Sequence, residues 1–364
     1  MTIAIVVLLL VGTVIWFINT EKFGSLPSKV RKQRILRSPN YKNGGFENLS
    51  LTPQLTGDAS YFTIMRDFAF GSNKKAIPPT LIPSHKTDLK ALPKDKNTLV
   101  WFGHSSYFIQ IDGKTALVDP VLSGAASPVS FTTPSFKGSD IYTADEMPYV
   151  DYLFISHDHW DHLDYDTVKK LQPRVGKVIC GLGIGEHLER WGYSPDKIAE
   201  HDWHEHITLG DGFEVYTVPA RHFSGRGLRP RQGLWMAFAF ITPSHKIYIG
   251  GDSGYDYHFA EAGNKYGPFD LAILECGQYN TNWANIHSMP EEVVQIAKDL
   301  HAKTFIPVHW AKFKLAMHDW DEPILRVTKE ALKENIPFVT PLIGEAVDLD
   351  NPKNPNFGWW EKVK

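Results

Sequence analysis

Residues 157 to 162 read His-Asp-His-Trp-Asp-His. Four of these side chains, His157, His159, Asp161 and His162, carry the chemistry of a metal site. The run follows Tyr152–Ile155, an apolar stretch that reads as a short buried strand, so it stands where a strand gives way to a loop. A loop can turn all four side chains toward one point, whereas a strand would send alternate residues to opposite faces. Imidazole and carboxylate are ligand types that suit zinc. Gathered without a cation, the acids would be left uncompensated. The competing reading is a polar surface loop, and the density of the cluster at the end of a buried strand favours metal. Three further candidates end strands of their own. His222 follows Glu214–Val218, Asp252 stands in Gly250-Gly251-Asp252-Ser253-Gly254 after Lys246–Ile249, and His309 closes Thr304–Val308. Alone, each is as well explained as a structural residue; strand ends on one edge of a sandwich converge, and together they extend the cluster.

The elements that must position these residues follow from local pattern. Thr98–Phe102, Tyr107–Ile111 and Ala116–Val118 read as consecutive strands, with Asp112-Gly113 turning between the second and third. Leu163–Leu171 and Gly185–Trp191 read as helices. A second half repeats this arrangement, with a hairpin of Leu234–Ile241 and Lys246–Ile249, a buried strand Leu271–Leu274, a helix Pro290–Leu300, the strand ending at His309, and a last helix Glu322–Glu334. Pro290 in the first turn, Glu291 and Glu292 near the positive end of the dipole and Lys298 near the other mark the first of these two helices. Strands then helix, twice over, predict two packed sheets with helices outside, an α/β chain in four layers, αββα.

Before this body lie two different stretches. Ile3 to Ile18 is uncharged and apolar. As a helix it would span roughly 24 Å against a bilayer core of about 30 Å. With no basic residue ahead of it and no small-residue cleavage site behind, the run is expected to be an uncleaved anchor over residues 1–20 and not a signal peptide. Lys22, Lys29, Arg31, Lys32, Arg34 and Arg37 follow it, which by the positive-inside rule puts the catalytic body on the cytoplasmic side. Residues 21–97 are expected as a linker and wrapping segment, punctuated by proline, whose aromatics Tyr61, Phe62, Phe68 and Phe70 pack on the main domain. Residues 98–350 form the main domain and 351–364 a C-terminal tail. The 364 residues can bury a full core, and a net charge of −3 argues against nucleic acid as partner. Two cysteines cannot make a disulfide framework. Oligomeric state is not legible.

The pattern resembles the metallo-β-lactamase superfamily, whose signature is His-x-His-x-Asp-His with later His, Asp and His ligands. Carried across position by position, the resemblance implies one zinc held by His157, His159 and His222, a second held by Asp161, His162 and His309, and Asp252 as bridging carboxylate. The same ligands would accept iron or manganese. The antibiotic-degrading zinc β-lactamases use a cysteine in the second site; Cys180 and Cys276 lie outside the ligand motifs here. The phrases Trp101-Phe102-Gly103-His104-Ser105-Ser106, Leu117-Val118-Asp119-Pro120, Tyr266-Gly267-Pro268-Phe269-Asp270, His287-Ser288-Met289-Pro290 and Ile306-Pro307-Val308-His309-Trp310 are similar to the N-acyl-phosphatidylethanolamine-hydrolysing phospholipase D branch. That branch implies a phosphodiesterase on a phospholipid, with Asp161 orienting the attacking water and Asp252 fixing the metal separation. A lactonase or phosphoesterase for a small metabolite is the alternative within enzymes, and a silent metal-stabilised scaffold the alternative outside them.

Other residues keep two readings. His287 suits substrate contact or leaving-group protonation, and equally the cap of the helix at Pro290. His104 and Asp119 suit the support of metal-bound groups, Asp119 equally a turn before Pro120. Arg221, Arg226, Arg229 and Arg231 flank His222 and suit either a phosphate or a solvated loop. His201, His204 and His206 read as a polar loop.

Overall fold

The computed structural model describes residues 2–364 other than Ser72, and of Thr2, Ile3 and Ala69 the backbone alone. Met1, at the head of the expected anchor, lies outside the described residues. Two sheets make the body. The first has seven strands, in the order Ala346–Asp348, Thr98–Trp101, Tyr107–Ile111, Lys114–Val118, Val150–Ile155, Val175–Gly181 and Ile198–His201. The second has six, in the order Phe305–Val308, Leu271–Glu275, Lys246–Ile249, Ala237–Ile241, Phe213–Val218 and His206–Gly210.

Period-two alternation assigns the faces. Leu99, Trp101, Tyr107, Ile109 and Phe154 point between the sheets and meet Phe238, Phe240 and Ile273. Their neighbours Val100, Phe108, Leu153 and Ile155 point outward and are covered by Val168, Leu171 and Leu188 of the helices Tyr165–Leu171 and Gly185–Arg190. On the far side, Val293, Val294, Ile324 and Val327 cover the second sheet from the helices Pro290–Asp299 and Glu322–Glu334. This explains why Tyr107–Ile111 and Leu271–Glu275 are buried along their whole length: each is covered on both faces. The result is the expected helix–sheet–sheet–helix order.

Parallel pairing positions the candidate residues. Lys114–Val118, Val150–Ile155 and Val175–Gly181 run parallel, so Asp119 and the run starting at His157 leave the same edge. Lys246–Ile249, Leu271–Glu275 and Phe305–Val308 also run parallel, bringing Asp252, Glu275 and His309 to a common edge of the second sheet.

The N-terminal expectation is corrected. Among the described residues no helix is long and apolar enough to cross a membrane. The apolar run is helical over Thr2–Ile18, 17 residues, or about 26 Å at ~1.5 Å per residue, short of a hydrocarbon core of about 30 Å. The single-pass anchor is overturned, and the cytoplasmic placement that depended on it goes with it. The basic stretch behind it is not a loose linker either. Lys29–Arg37 is a helix, and its Arg31 forms ion pairs with Glu186, Glu189 and Glu200, which hold its guanidinium well above its ordinary pKa against the opposing pull of burial.

Tyr61–Phe70 is a helix begun by Ser60, whose hydroxyl accepts from the Thr63 N–H. Phe68 stacks on Trp283 at 6.5 Å, but Tyr61, Phe62 and Phe70 are 63%, 76% and 84% exposed, so most of the aromatics expected to pack do not. At the other terminus the chain returns to the body: Trp359 and Trp360 are buried against Trp310.

Candidate metal centre

The residues singled out at strand ends form one buried cluster in two halves. In the first, His157 Nε2 lies 2.9 Å and His222 Nε2 3.2 Å from the same atom, Nδ1 of His159. In the second, Asp161, His162 and His309 offer donor atoms within 4.8 Å of one another, and His104 joins them. Asp252 touches both halves. Its Oδ2 is 3.1 Å from His162 Nε2, 3.7 Å from His222 Nε2 and 3.8 Å from His157 Nε2, and its Oδ1 is 3.2 Å from His309 Nδ1.

This donor set fits divalent metal. Imidazole nitrogens face one another with too few protons to pair them. His162 Nε2, Asp252 Oδ1 and His104 Nδ1 are buried without a hydrogen-bond partner among the described residues. Buried polar atoms are ordinarily paired, and such a concentration of orphans at a point where carboxylates and imidazoles meet is what a cation would relieve. Burial, first, drives His157, His159 and His222 below the usual histidine range, His159 to about 4, so these rings are neutral and have lone pairs to give. The second half is mixed: burial drives His309 well below the histidine range and His104 to about 4, while charge gathers on His162 and the carboxylates around it. Burial would also depress His162, but Asp252, Asp161 and Asp119 hold it well above its ordinary value. Burial raises Asp252 to about 6 despite the neighbouring His162.

His162 and His222 are held from behind, the usual way a metal-binding ring is oriented, and His309 and Asp161 have polar neighbours of their own. Asp119 Oδ2 is 2.8 Å from His162 Nδ1, and the same carboxylate accepts from Ser156 N–H at 2.8 Å and from its hydroxyl at 2.6 Å. His222 Nδ1 donates to the Ile286 carbonyl at 2.8 Å. Ser105 Oγ lies 2.9 Å from His309 Nδ1, and His104 Nε2 lies 2.9 Å from Asp161 Oδ2. Asp158, inside the histidine run, turns away and accepts from Gly225 N–H at 2.6 Å.

The remaining candidates divide. His287 does not cap the helix at Pro290, whose first N–H groups are met in part by Glu292 reaching Met289 at 2.8 Å. Instead His287 Nδ1 lies 2.7 Å from Glu275 Oε2, with its ring 5.0 Å from that of His222 and 5.4 Å from that of His309. Arg221 and Arg226 are structural. Arg221 ties Thr52 to the Tyr255 carbonyl. Arg226 is buried on the Trp160 ring and donates to the carbonyls of Asp158, Leu163 and Lys22; burial lowers its guanidinium to about 10. Arg229 is exposed and lines a cavity of about 500 Å³ with Asp158, His187 and Arg226, to which none of the candidate ligands contributes. Arg231 closes a turn with φ of 59°. His201 and His206 pair with Glu205 and Glu214, and neither they nor His204 join the cluster. Sequence reasoning passed over Glu275. The available signal was an acid closing the otherwise apolar strand Leu-Ala-Ile-Leu-Glu.

Residues 114–310 match the model of the beta-lactamase superfamily domain, over half of the chain. The protein therefore belongs to the beta-lactamase superfamily, as one of its metal-dependent hydrolases. An uncharacterized protein of Mycobacterium tuberculosis is 38% identical over 328 residues, 89% of this chain and 88% of that one. N-acyl-phosphatidylethanolamine-hydrolyzing phospholipase D 1 of Caenorhabditis elegans is 30% identical over 350 residues, 90% of this chain and 95% of the worm protein. Among solved structures, a metallo hydrolase from the archaeon Ignicoccus hospitalis shares the fold, with a TM-score of 0.54 at 19% identity, covering 69% of this chain and 97% of that one.

Proposed function

We propose that the protein is a two-metal phosphodiesterase of the phospholipase D type, acting on N-acyl-phosphatidylethanolamine or a related phospholipid. The observation that carries this reading is the bridge made by Asp252 between the two halves of the cluster. In it, His157, His159 and His222 would hold one cation, Asp161, His162 and His309 the other, and Asp252 would be shared by the two. Two cations there, zinc by the ligand types, supply an activated water and neutralise charge on the phosphoryl oxygens.

The protein's own groups do the rest. Asp161, braced by His104, orients the attacking water. Asp119 and the Ile286 carbonyl fix the rings of His162 and His222, so the centre is set before substrate arrives. Most of the cluster is buried, with His159 and Asp161 half-buried, which restricts the access of bulk water to it.

The lipid assignment is supported by the surface next to the centre. Ile64 of the helix Tyr61–Phe70 and Phe223 both pack against the cluster of Trp283, Ile286 and Ala316, and Ile286 holds His222 while the Phe223 ring lies 4.5 Å from the His159 ring. On its open side that helix presents Tyr61, Phe62 and Met65 to solvent. Apolar surface beside a phosphodiester centre suits acyl chains. The worm relative's name specifies the same substrate class.

The test is turnover of N-acyl-phosphatidylethanolamine in mixed micelles by the purified protein. Release of phosphatidic acid, abolished in Asp252→Asn, is the expected result. A metal-loaded protein that leaves the lipid intact and opens soluble lactones or phosphoesters contradicts the lipid reading.

A further inference from the structure

Glu275 is a buried acid at the end of an apolar strand, and a carboxylate in such a place is costly unless it is fully partnered. It is. Its Oε1 accepts from the backbone N–H of Ser253 at 2.7 Å and of Ser288 at 3.3 Å, while its Oε2 lies 2.7 Å from His287 Nδ1. Ser253 follows Asp252, and Ser288 follows His287. One side chain thus ties the loop carrying the bridging carboxylate to the loop carrying His287. With Nδ1 taken, the other ring nitrogen of His287, Nε2, has no hydrogen-bond partner among the described residues, and the ring lies against His222 of one half and His309 of the other.

We propose that Glu275 is a positioning residue that locks the tautomer and orientation of His287, so that His287 Nε2 delivers a proton to the departing oxygen of the substrate. This rests on the phosphodiesterase reading. As the bond between phosphorus and the leaving oxygen breaks, its electron pair stays on that oxygen, which takes the Nε2 proton. The ring keeps the proton on Nδ1, facing Glu275 Oε2. The proton delivered is the one the attacking water gives up to the Nε2 lone pair as it bonds to phosphorus, so the ring begins and ends neutral with its proton on Nδ1. The products are a phosphomonoester and an alcohol, and no other reactant is needed. A glutamine at 275 would keep the size but offer an N–H to Nδ1, so the ring could no longer retain its proton there.

Proton delivery matters for a poor leaving group and little for a good one, which separates this role from a merely structural one. The experiment compares Glu275→Gln and His287→Gln with the wild-type enzyme on two diesters: an alkyl phosphodiester and bis(p-nitrophenyl) phosphate. Metal content is counted for each, and the imidazole N–H protons are observed by NMR in the metal-free and zinc-loaded proteins. The expected result is a loss of about a hundredfold or more in kcat on the alkyl diester for both variants, against less than about threefold on the nitrophenyl diester, the range general acid catalysis supplies. Metal content stays at the wild-type value, and a downfield N–H signal of the wild-type protein is missing from both variants. Equal losses on the two diesters, or loss of a metal ion in Glu275→Gln, overturn the inference; the second would make Glu275 a ligand. A wild-type enzyme that hydrolyses neither diester overturns the phosphodiesterase reading itself, and this one with it.

Discussion

The two halves of the centre are built on opposite electrostatic plans. Around His159 three neutral rings meet nitrogen to nitrogen, at 2.9 and 3.2 Å, with burial as the main influence on each. Around His162 the contacts are ionic: Asp252 and Asp119 lie at 3.1 and 2.8 Å, Asp161 at 3.5 Å, and His104 in turn braces Asp161. The first half has little to hold it together except a cation, whereas the second can satisfy much of its own charge. Metal affinity and resting geometry are therefore separable properties here. A site of neutral rings is poised to bind; a site of paired charges must exchange an internal partner for the ion.

Breaking the bridge has the largest expected effect. Asp252→Asn removes the one carboxylate common to both halves, and we expect loss of both metals with activity down by on the order of a thousandfold or more, beyond the 10–100-fold typical of outer supports. Elemental analysis and turnover on one preparation check it. Next comes His222→Ala, which removes a ring from the neutral half only. Metal content should fall from about two per chain to about one; an unchanged count would show that the halves do not bind separately.

The third prediction uses pH and the metal-free protein. His159 sits near 4 in the folded chain, mainly through burial, against about 6.5 unfolded. Between those values the unfolded chain carries a proton on this ring that the folded chain does not. Its contribution to stability is therefore complete above 6.5, is lost as pH falls, and levels off below 4. The difference amounts to about 3 kcal/mol. Urea unfolding of metal-free wild type and His159→Gln across this range should show the variant losing less stability on acidification by roughly that amount. Parallel curves would mean that His159 is not buried neutral. The smallest effect is expected behind the mixed half: Asp119→Asn should weaken binding of one metal by about 10–100-fold and leave the other unchanged, as read by competition with a chelator.

Most of this cluster was legible in the sequence because its candidate ligands are short-range features. The run at 157–162 lies in one loop, and His222, Asp252 and His309 each follow a recognisable apolar strand, so the edge where parallel strands end could be anticipated. Asp119 was legible as either a turn or a support; its φ of 40° and its contact with His162 make it both. Glu275 was not, because its partners at 253, 287 and 288 are distant in sequence and an acid after four apolar residues reads as a strand end. The N-terminal run misled for a related reason: apolar composition reports a preference for leaving water, while crossing a bilayer also requires length, and 17 helical residues are fewer than the about 20 that match a hydrocarbon core. The basic helix Lys29–Arg37 looked like a linker because the acids that fix Arg31, at 186, 189 and 200, lie far along the chain.

The most direct test of the central claim is the metal count of the purified wild-type protein after zinc reconstitution, by elemental analysis. The two-half centre bridged by Asp252 predicts about two ions per chain. No bound metal, with the protein folded, would contradict it.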